Sequence, residues 1–445
     1  MNYYFVGIGG IGMSAIARFF HQRGDKVCGY DRTPSPLTRE LEQEGIPIHY
    51  VDDPSLIPAD TQLAVYTPAV PEDTLIMQHL RQSSIPLTKR SQMLGHLTEG
   101  RKCVAVAGTH GKTTTSSMIA WILSQSHVGC SAFLGGIAKN FNNNMIVDNK
   151  SDFVVVEADE YDRSFLQLHP YYSVISATDP DHLDIYGTHE KMLEAFEQFA
   201  NQTHPEGMVL LKEGIPTKPH QSLARRSYSS NSTQADFYCH NIRNHNGDLT
   251  FDLHTPSGEL LDIQLTNSCL YNVENAVAAA AIALQCGVTE AELRHGLKTF
   301  AGIRRRFDYR VKNDRIIYID DYAHHPAEIK ATLDSVRFLF PGRKVMGIFQ
   351  PHLYTRTRDF AAGFSEILST LDKAILLDIY PARELPIPGI TSDMLLRNIT
   401  APVSRLIQKD EVVPAILQSD CQIVLTIGAG DIDRLIPQIE QALES

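Results

Sequence analysis

The run AGTHGKTTT, residues 107–115, sets a lysine and three threonines directly behind two glycines. Glycines let the backbone turn so that successive N–H groups converge on an anion, a lysine adds charge, and a threonine hydroxyl suits a hard divalent cation. The widespread phosphate loop keeps four residues between its glycines; here Gly108 and Gly111 enclose two, with Val106 where the longer loop has glycine. Gly108, Thr109, His110, Gly111, Lys112, Thr113 and Thr114 therefore read as a shortened cradle for the phosphates of a nucleotide. Lys112 would face the terminal phosphates, and Thr113 or Thr114 would reach Mg²⁺. A glycine turn that merely caps a helix is the plainer alternative. Strand, glycines, lysine, threonines and helix in this order favour the nucleotide.

Magnesium needs further oxygen donors. VVVEADE offers Glu157, Asp159 and Glu160, and ATDPDHLDIYG offers Asp181, His182 and Asp184, each set ending an apolar run. Glu157, directly behind the apolar residues, is hardest to explain as solvated surface. Chemistry alone prefers Asp181 to His182 as a ligand.

These groups converge only if parallel strands end on one edge, and the chain has that rhythm. Three domains are expected: 1–98, 99–303 and 304–445. In the first, YYFVGIGG reads as a buried strand, SAIARFFHQRG as a helix, KVCGYD as a second strand, and LAVYTPAV and IPLTKRSQMLGHL as later strand-led units. In the second, KCVAVA, DFVVVEAD and YSVISATDPD are strands, residues 225–265 look like antiparallel hairpins turning at Asn246-Gly247-Asp248, and NVENAVAAAAIALQCG is a helix capped by Gly287. NFNNNM, residues 140–145, reads as a loop. In the third, beginning at Arg304-Arg305-Arg306, RIIYIDDYAHHP, RKVMGIFQPH, KAILLDIYPA and CQIVLTIGAGD are apolar strands ending in polar or glycine residues.

The fold class is therefore α/β: a Rossmann-like first domain, a central P-loop ATPase-type domain and a Rossmann-like third. In the first, Gly7, Gly9, Gly10 and Gly12 follow a strand, and Asp31 comes later, as in a dinucleotide fingerprint. Taken alone, that pattern allows a dinucleotide-dependent reductase.

The 445 residues carry 52 acidic and 40 basic side chains, a formal net charge of -12. That balance argues against a broad nucleic-acid or anionic-membrane surface. The 7 cysteines form no C-x-x-C pair and read as reduced residues of a cytoplasmic protein. The apolar N-terminus lacks the basic lead of a signal peptide, and no run is long enough for a membrane insertion.

GTHGKTTT, EADE, DHLDIYG, NVENAVAA, RRRFD, DDYAHHP, QPHLYTRTRD and GAGD follow one another along essentially the whole chain. In this order they resemble the Mur ligase family, enzymes that build the peptide stem of the bacterial cell wall. The histidine in GTHGKT is similar both to the branch that adds L-alanine to UDP-N-acetylmuramate and to the branch that attaches a murein tripeptide, and the start GIGGIGMSAIA resembles the first of the two. The resemblance implies an ATP- and Mg²⁺-dependent amide ligase of peptidoglycan synthesis, acting through an acyl phosphate, as a monomer or homodimer. The related branch that attaches a preformed murein tripeptide to the same UDP-sugar is the alternative.

The resemblance also distributes roles. It implies Lys112, His182, His324 and His352 as catalytic, and Thr113, Glu157 and His182 around the metal, against the chemical preference for Asp181. Asn272 and Asn275 match positions near adenine, Arg305 and Arg306 an arginine pair at the nucleotide, and Asp321 a ribose contact. Two polar residues opening an alanine-rich helix are the plainer account of the asparagines. Gly9, Gly10, Gly12, Asp31, Thr67, Ala69 and Arg90 match the holder of the uridine diphosphate. Tyr322, His324, His352 and Arg356 match the surroundings of L-alanine and the muramyl group. Three positions depart from the pattern: Leu353 where relatives often carry arginine, Tyr271 where histidine is common, and Ala323 for a frequent glycine. Several domains around one site also imply closure, to keep water from the acyl phosphate.

Overall fold

A computed structural model describes residues 1–444 except Asn246 and Arg383, and at Leu183 and Asp184 the backbone alone. The chain forms three sheets. The first has five parallel strands in the order Ile48–His49, Lys26–Tyr30, Asn2–Val6, Leu63–Tyr66 and Leu87–Lys89. The chain starts in the middle and works outward to each edge in turn, the Rossmann pattern. YYFV is fully buried because helices cover both faces of a parallel sheet. The strand stops at Val6 rather than running on through GIGG, since Gly7 turns with φ +84°. The helix Ile11–Gln22 then starts earlier than the sequence suggested. It buries Met13, Ile16, Ala17 and Phe20, spaced three and four apart on one face.

The second sheet has ten strands, in the order Gly258–Leu265, Asp248–Thr255, Phe237–His245, Ala224–Ser229, Met208–Lys212, Tyr172–Ile175, Lys102–Ala107, Phe153–Glu157, Ser131–Ala138 and Asn143–Ile146. Two expectations need correction. Residues 143–146 are a strand, antiparallel to Ser131–Ala138, not a loop. Asn144 there is wholly buried and accepts from Arg18 at 2.9 Å, so polar side chains hid a core position. Ala224–Ser229 pairs parallel with both neighbours, so the expected hairpins begin only at Phe237. Of the expected turn, Asn246 lies outside the described residues; Gly247 takes φ +89°. The helix Tyr271–Gln285 ends as expected, with Gly287 at φ +95°.

The third sheet runs Asp308–Lys312, Ile317–Asp321, Ile423–Ile427, Val345–Phe349, Lys373–Leu376 and Val403–Leu406. It is parallel except for its first strand, which pairs antiparallel. That edge strand and Val403–Leu406 are half-exposed, too polar to stand out as apolar runs.

The chain divides into two compact units: 1–240 with 252–263 and 274–300, and 241–251 with 264–273 and 301–445. Within the first unit, Phe19 of the Ile11–Gln22 helix meets Phe133 at 5.6 Å between ring centres, and one core runs under both the glycine run and the phosphate loop. No helix among the described residues is long and apolar enough to cross a membrane.

Candidate active site

The phosphate loop leaves the buried strand Lys102–Ala107 and enters the helix Lys112–Ser124. Gly108 has φ +132° and Gly111 φ +83°, conformations that disfavour a side chain. A Cβ on Gly108 would strike Ser176, and one on Gly111 would come 2.8 Å from Asn275 Oδ1. Ser176 also donates to the carbonyl of His110, and Thr109 N donates to Ala177 O at 3.0 Å, so the strand Tyr172–Ile175 and its continuation brace the loop. Asn275 accepts from Thr115 Oγ1 at 3.2 Å, which sets it against the first turn of the loop helix. Thr113 and Thr114 are buried there. His110 stays half-exposed, with Nε2 3.9 Å from Asp179.

Lys112 does not point into open solvent. Its Nζ donates to Gly108 O at 2.6 Å and lies 2.8 Å from each carboxylate oxygen of Glu160. Burial opposes the ammonium charge, but Glu160, Glu157 and Asp159 outweigh it and raise the pKa above the ordinary lysine value. Glu160 is 1% exposed.

Glu160 also belongs to a group that could hold a metal ion. Ligand atoms of Glu160, Asp181 and His182 can lie within 4.8 Å of one another. His182 Nε2 is 3.7 Å from Glu160 and 3.7 Å from Asp181. Two carboxylates beside a threonine-bearing loop suit a hard divalent cation. Both Asp181, preferred on chemistry, and His182, implied by resemblance, are in this group. Glu157 ends its strand with its carboxylate against Gly135, accepting from that N–H at 3.1 Å; a Cβ at Gly135 would occupy the same space. Sequence reasoning named Glu160 among the acids but gave it no role. The signal available was only its place after EAD, because its burial comes from the chain folding back over it. Asp184's side chain lies outside the described residues.

The glycine run is framed by the residues expected beside it. A Cβ on Gly7 would lie 2.8 Å from Thr67 Cγ2, and one on Gly9 2.6 Å from Thr38 Cγ2. Asp31 accepts from Gly9 N at 2.8 Å, and Gly10 N donates back to Gly7 O at 3.2 Å. Ala69 N donates to Thr67 Oγ1 at 3.4 Å. Arg90 reaches across the start of the helix, its Nη1 2.6 Å from a would-be Cβ on Gly12, and Nη2 donates to Asp159 at 3.1 Å.

In the second unit, Tyr322, His324, His352 and Arg356 come together. His324 and His352 have ring centres 6.4 Å apart, and Tyr322 meets His324 edge-on at 5.4 Å. Their hydrogen bonds assign the protons. Tyr322 O can only accept, so His324 Nδ1, at 3.0 Å, carries the proton and Nε2 keeps its lone pair. Arg356 can only donate, so His352 Nδ1, at 3.2 Å, is bare and Nε2 carries the proton. Both rings are held neutral: burial lowers the His324 pKa, and burial with Arg356 and His324 takes His352 to about 4. Leu353 between them has φ +69°, its N–H given to Tyr380 O at 3.0 Å.

The arginine pair divides its labour. Arg305 donates to Gly428 O at 2.6 Å, Gly430 O at 3.4 Å and Asp320 at 3.3 Å. Both guanidinium groups lie over the Tyr322 ring, Arg305 at 5.0 Å and Arg306 at 5.2 Å. Asp321 accepts from Thr332 at 2.5 Å, and burial raises its pKa to about 6. Asn272 is buried in this unit, its N–H on Cys269 O at 3.1 Å. Tyr271 meets Phe307 edge-on, and Ala323 is buried with its N–H on Asp321.

Comparison with known proteins places the whole chain. Three family models match it: Mur ligase family, catalytic domain, over residues 2–102; Mur ligase middle domain, over 106–283; and Mur ligase, glutamate ligase domain, over 305–430. The chain is 50% identical to the UDP-N-acetylmuramate–L-alanine ligase of Parabacteroides distasonis, over 99% of this chain and 96% of that protein. It is 44% identical to the ligase of the same name from Flavobacterium johnsoniae, over 99% and 98%. Among solved structures it is similar to the UDP-N-acetylmuramate-alanine ligase of Thermotoga maritima, with TM-score 0.86, 26% identity and coverage of 100% and 99%. A murein peptide ligase from Psychrobacter arcticus shares the fold at TM-score 0.72 and 21% identity, over 100% and 98%.

Proposed function

The chain belongs to the Mur ligase family, and on that premise we propose that it joins L-alanine to the lactyl carboxylate of UDP-N-acetylmuramate, with ATP as the activating reagent. The observation that carries this reading is the 50% identity, over 99% of this chain, with a protein of that name. The reaction belongs to peptidoglycan precursor synthesis in the cytoplasm.

The lactyl carboxylate takes the γ-phosphate of ATP, giving an acyl phosphate and ADP. The amine of L-alanine attacks the acyl carbon, and the tetrahedral intermediate expels phosphate to leave an amide. Two anions must meet in the first step, so the chain has to supply positive charge in a fixed place. Lys112 leaves Glu160 for the terminal phosphates, with the N–H groups of Gly108–Thr114 around them. Thr113, Glu157 and His182, with Asp181 and Glu160 beside them, would hold magnesium, which supplies charge neutralisation between carboxylate and phosphate. Gly9, Gly10, Gly12, Thr67, Ala69 and Arg90 take the uridine diphosphate, with Asp31 holding the glycine run in shape. Asn272, Asn275 and Asp321 serve the adenosine. Arg306 makes the phosphate contact, and Arg305 fixes the loop at Gly428–Gly430.

For the acceptor, the lone pair of His324 Nε2 is placed to take a proton from the alanine ammonium. His352 Nε2–H donates to the muramyl or alanine oxygen, Arg356 holds the alanine carboxylate, and Tyr322 packs beside them. Product mass spectrometry tests the assignment. Given ATP, Mg²⁺ and UDP-N-acetylmuramate, the protein is expected to yield the L-alanine adduct with ADP. An adduct only with L-Ala-γ-D-Glu-meso-diaminopimelate would move it to tripeptide recycling, and no adduct from either would refute the ligase reading.

A further inference from the structure

Behind the strand Phe153–Glu157 the chain crosses the first unit as Asp159-Glu160-Tyr161-Asp162 before Phe165 drops into the core, its ring stacked 5.0 Å from Phe199. Three of those four residues are carboxylates, and each holds a different cation. Asp159 accepts from Arg90 at 3.1 Å, Glu160 holds Lys112 at 2.8 Å, and Asp162 accepts from Lys89 at 3.1 Å. The cations belong to two separate anion-seeking places. Lys112 heads the phosphate-loop helix, whereas Lys89 and Arg90 stand at the start of the helix Arg90–Thr98, with Arg90 reaching over Gly12.

The backbone of this segment is under tension. Asp162 and Arg163 both have φ +54°, a left-handed pair without glycine that persists only where its surroundings over-determine it. Arg163 N donates to Glu160 O at 3.0 Å and its guanidinium covers Tyr186 at 5.3 Å; the Tyr186 hydroxyl donates to Glu160 O at 2.6 Å.

We propose, building on the reading that Lys112 receives ATP and Arg90 the pyrophosphate of the UDP-sugar, that residues 159–162 are a positioning strap. In the free protein its carboxylates stand in for the phosphates of both substrates and so couple their binding. A carboxylate and a phosphate repel each other across one cation, so either substrate displaces the strap from its own end. With three ties within four residues, release at one end loosens the other, and linkage makes the effect reciprocal. Arg90 and Asp159 are part-exposed, 19% and 37%, so their tie holds UDP-sugar affinity down about two- to fivefold. The Lys112–Glu160 tie is nearly solvent-free, so parting it without another anion at Lys112 costs more.

Isothermal titration of the full chain tests this, using UDP-N-acetylmuramate with and without a non-transferable ATP analogue and Mg²⁺. In the unsubstituted protein each ligand should tighten the other by the same factor, about two- to fivefold, the most that release of the Arg90 tie can return. In Asp159→Asn/Asp162→Asn, UDP-sugar alone should bind about two- to fivefold tighter and the coupling factor should fall towards one. Asp159→Glu, which keeps the charge, should retain coupling; Lys89→Gln, which cuts one tie from the exposed side without touching the strap, should lower it. Coupling unchanged in both the double variant and Lys89→Gln overturns the strap, as does its absence from the unsubstituted protein when both ligands bind. Failure of either ligand to bind the unsubstituted protein overturns the underlying functional reading, and the strap with it.

Discussion

Lys112 keeps its charge in a place where burial alone would remove it, because Glu160 lies against it from a nearly solvent-free position. Removing the ammonium therefore leaves Glu160 uncompensated and, on the proposed function, takes away the cation meant for the phosphates. Lys112→Ala should abolish ligation, with UDP-N-acetylmuramate affinity changed no more than about fivefold through the strap; steady-state turnover and titration calorimetry measure the two, and near-normal ligation would remove Lys112 from the chemistry. The histidine pair makes a prediction in pH. His352 titrates at about 4 because burial, Arg356 and His324 all disfavour its cation. Its folded pKa is below the unfolded value, so its contribution to stability is complete above about 6.5 and is lost as pH falls toward 4. Arg356→Gln should move the acid limb of the activity profile upward toward the ordinary histidine value, because Arg356 also lowers the pKa of the proposed base His324, beside a higher KM for L-alanine. An acid limb that stays in place would show that Arg356 does not tune the base His324.

The helix Ile11–Gln22 carries the glycine run on one end and a buried ion pair in its middle. Arg18 is 2% exposed and makes bonds of 2.7–3.0 Å to Glu44 while also donating to Asn144 at 2.9 Å. Asn144 in turn donates to Ile11 O at 2.5 Å, so one side chain ties the helix start to the strand Asn143–Ile146. Glu44 is 37% exposed, which reduces the penalty of leaving it alone. Arg18→Ala should cost about 2 kcal/mol, read from urea unfolding, and weaken UDP-sugar binding by loosening the glycine run. A loss under about 0.5 kcal/mol would place the pair among ordinary surface contacts.

At the scale of the molecule, three sheets make two compact units. The first two sheets share one core, so they should melt together. Calorimetry is expected to show two transitions. UDP-N-acetylmuramate at a hundred times its Kd stabilises the state it binds by about 2.7 kcal/mol, raising one transition by a few degrees. Arg18→Ala should lower that same transition. Three independent transitions would mean that the shared core does not couple the sheets.

The family and its reaction class were legible because their signs are written in contiguous runs. The shortened loop around Lys112, the glycine run at Gly7–Gly12 and the polar strand ends at DDYAHHP and QPHLY each declare themselves over a few neighbouring residues, and apolar periodicity declares the parallel strands that carry them. Asn143–Ile146 escaped because its core contact is an asparagine satisfied by an arginine on the distant helix Ile11–Gln22, and Asp308–Lys312 because an edge strand need not be apolar. Glu160 looked like one acid among several until the fold placed Lys112 against it, and the division between Arg305 and Arg306 follows from carbonyls more than a hundred residues away. Local sequence determines which groups are present and which turns they sit on. Which carboxylate is desolvated, which histidine nitrogen keeps its lone pair and which cation is already paired depend on burial and long-range partners, and those exist only once the chain has folded.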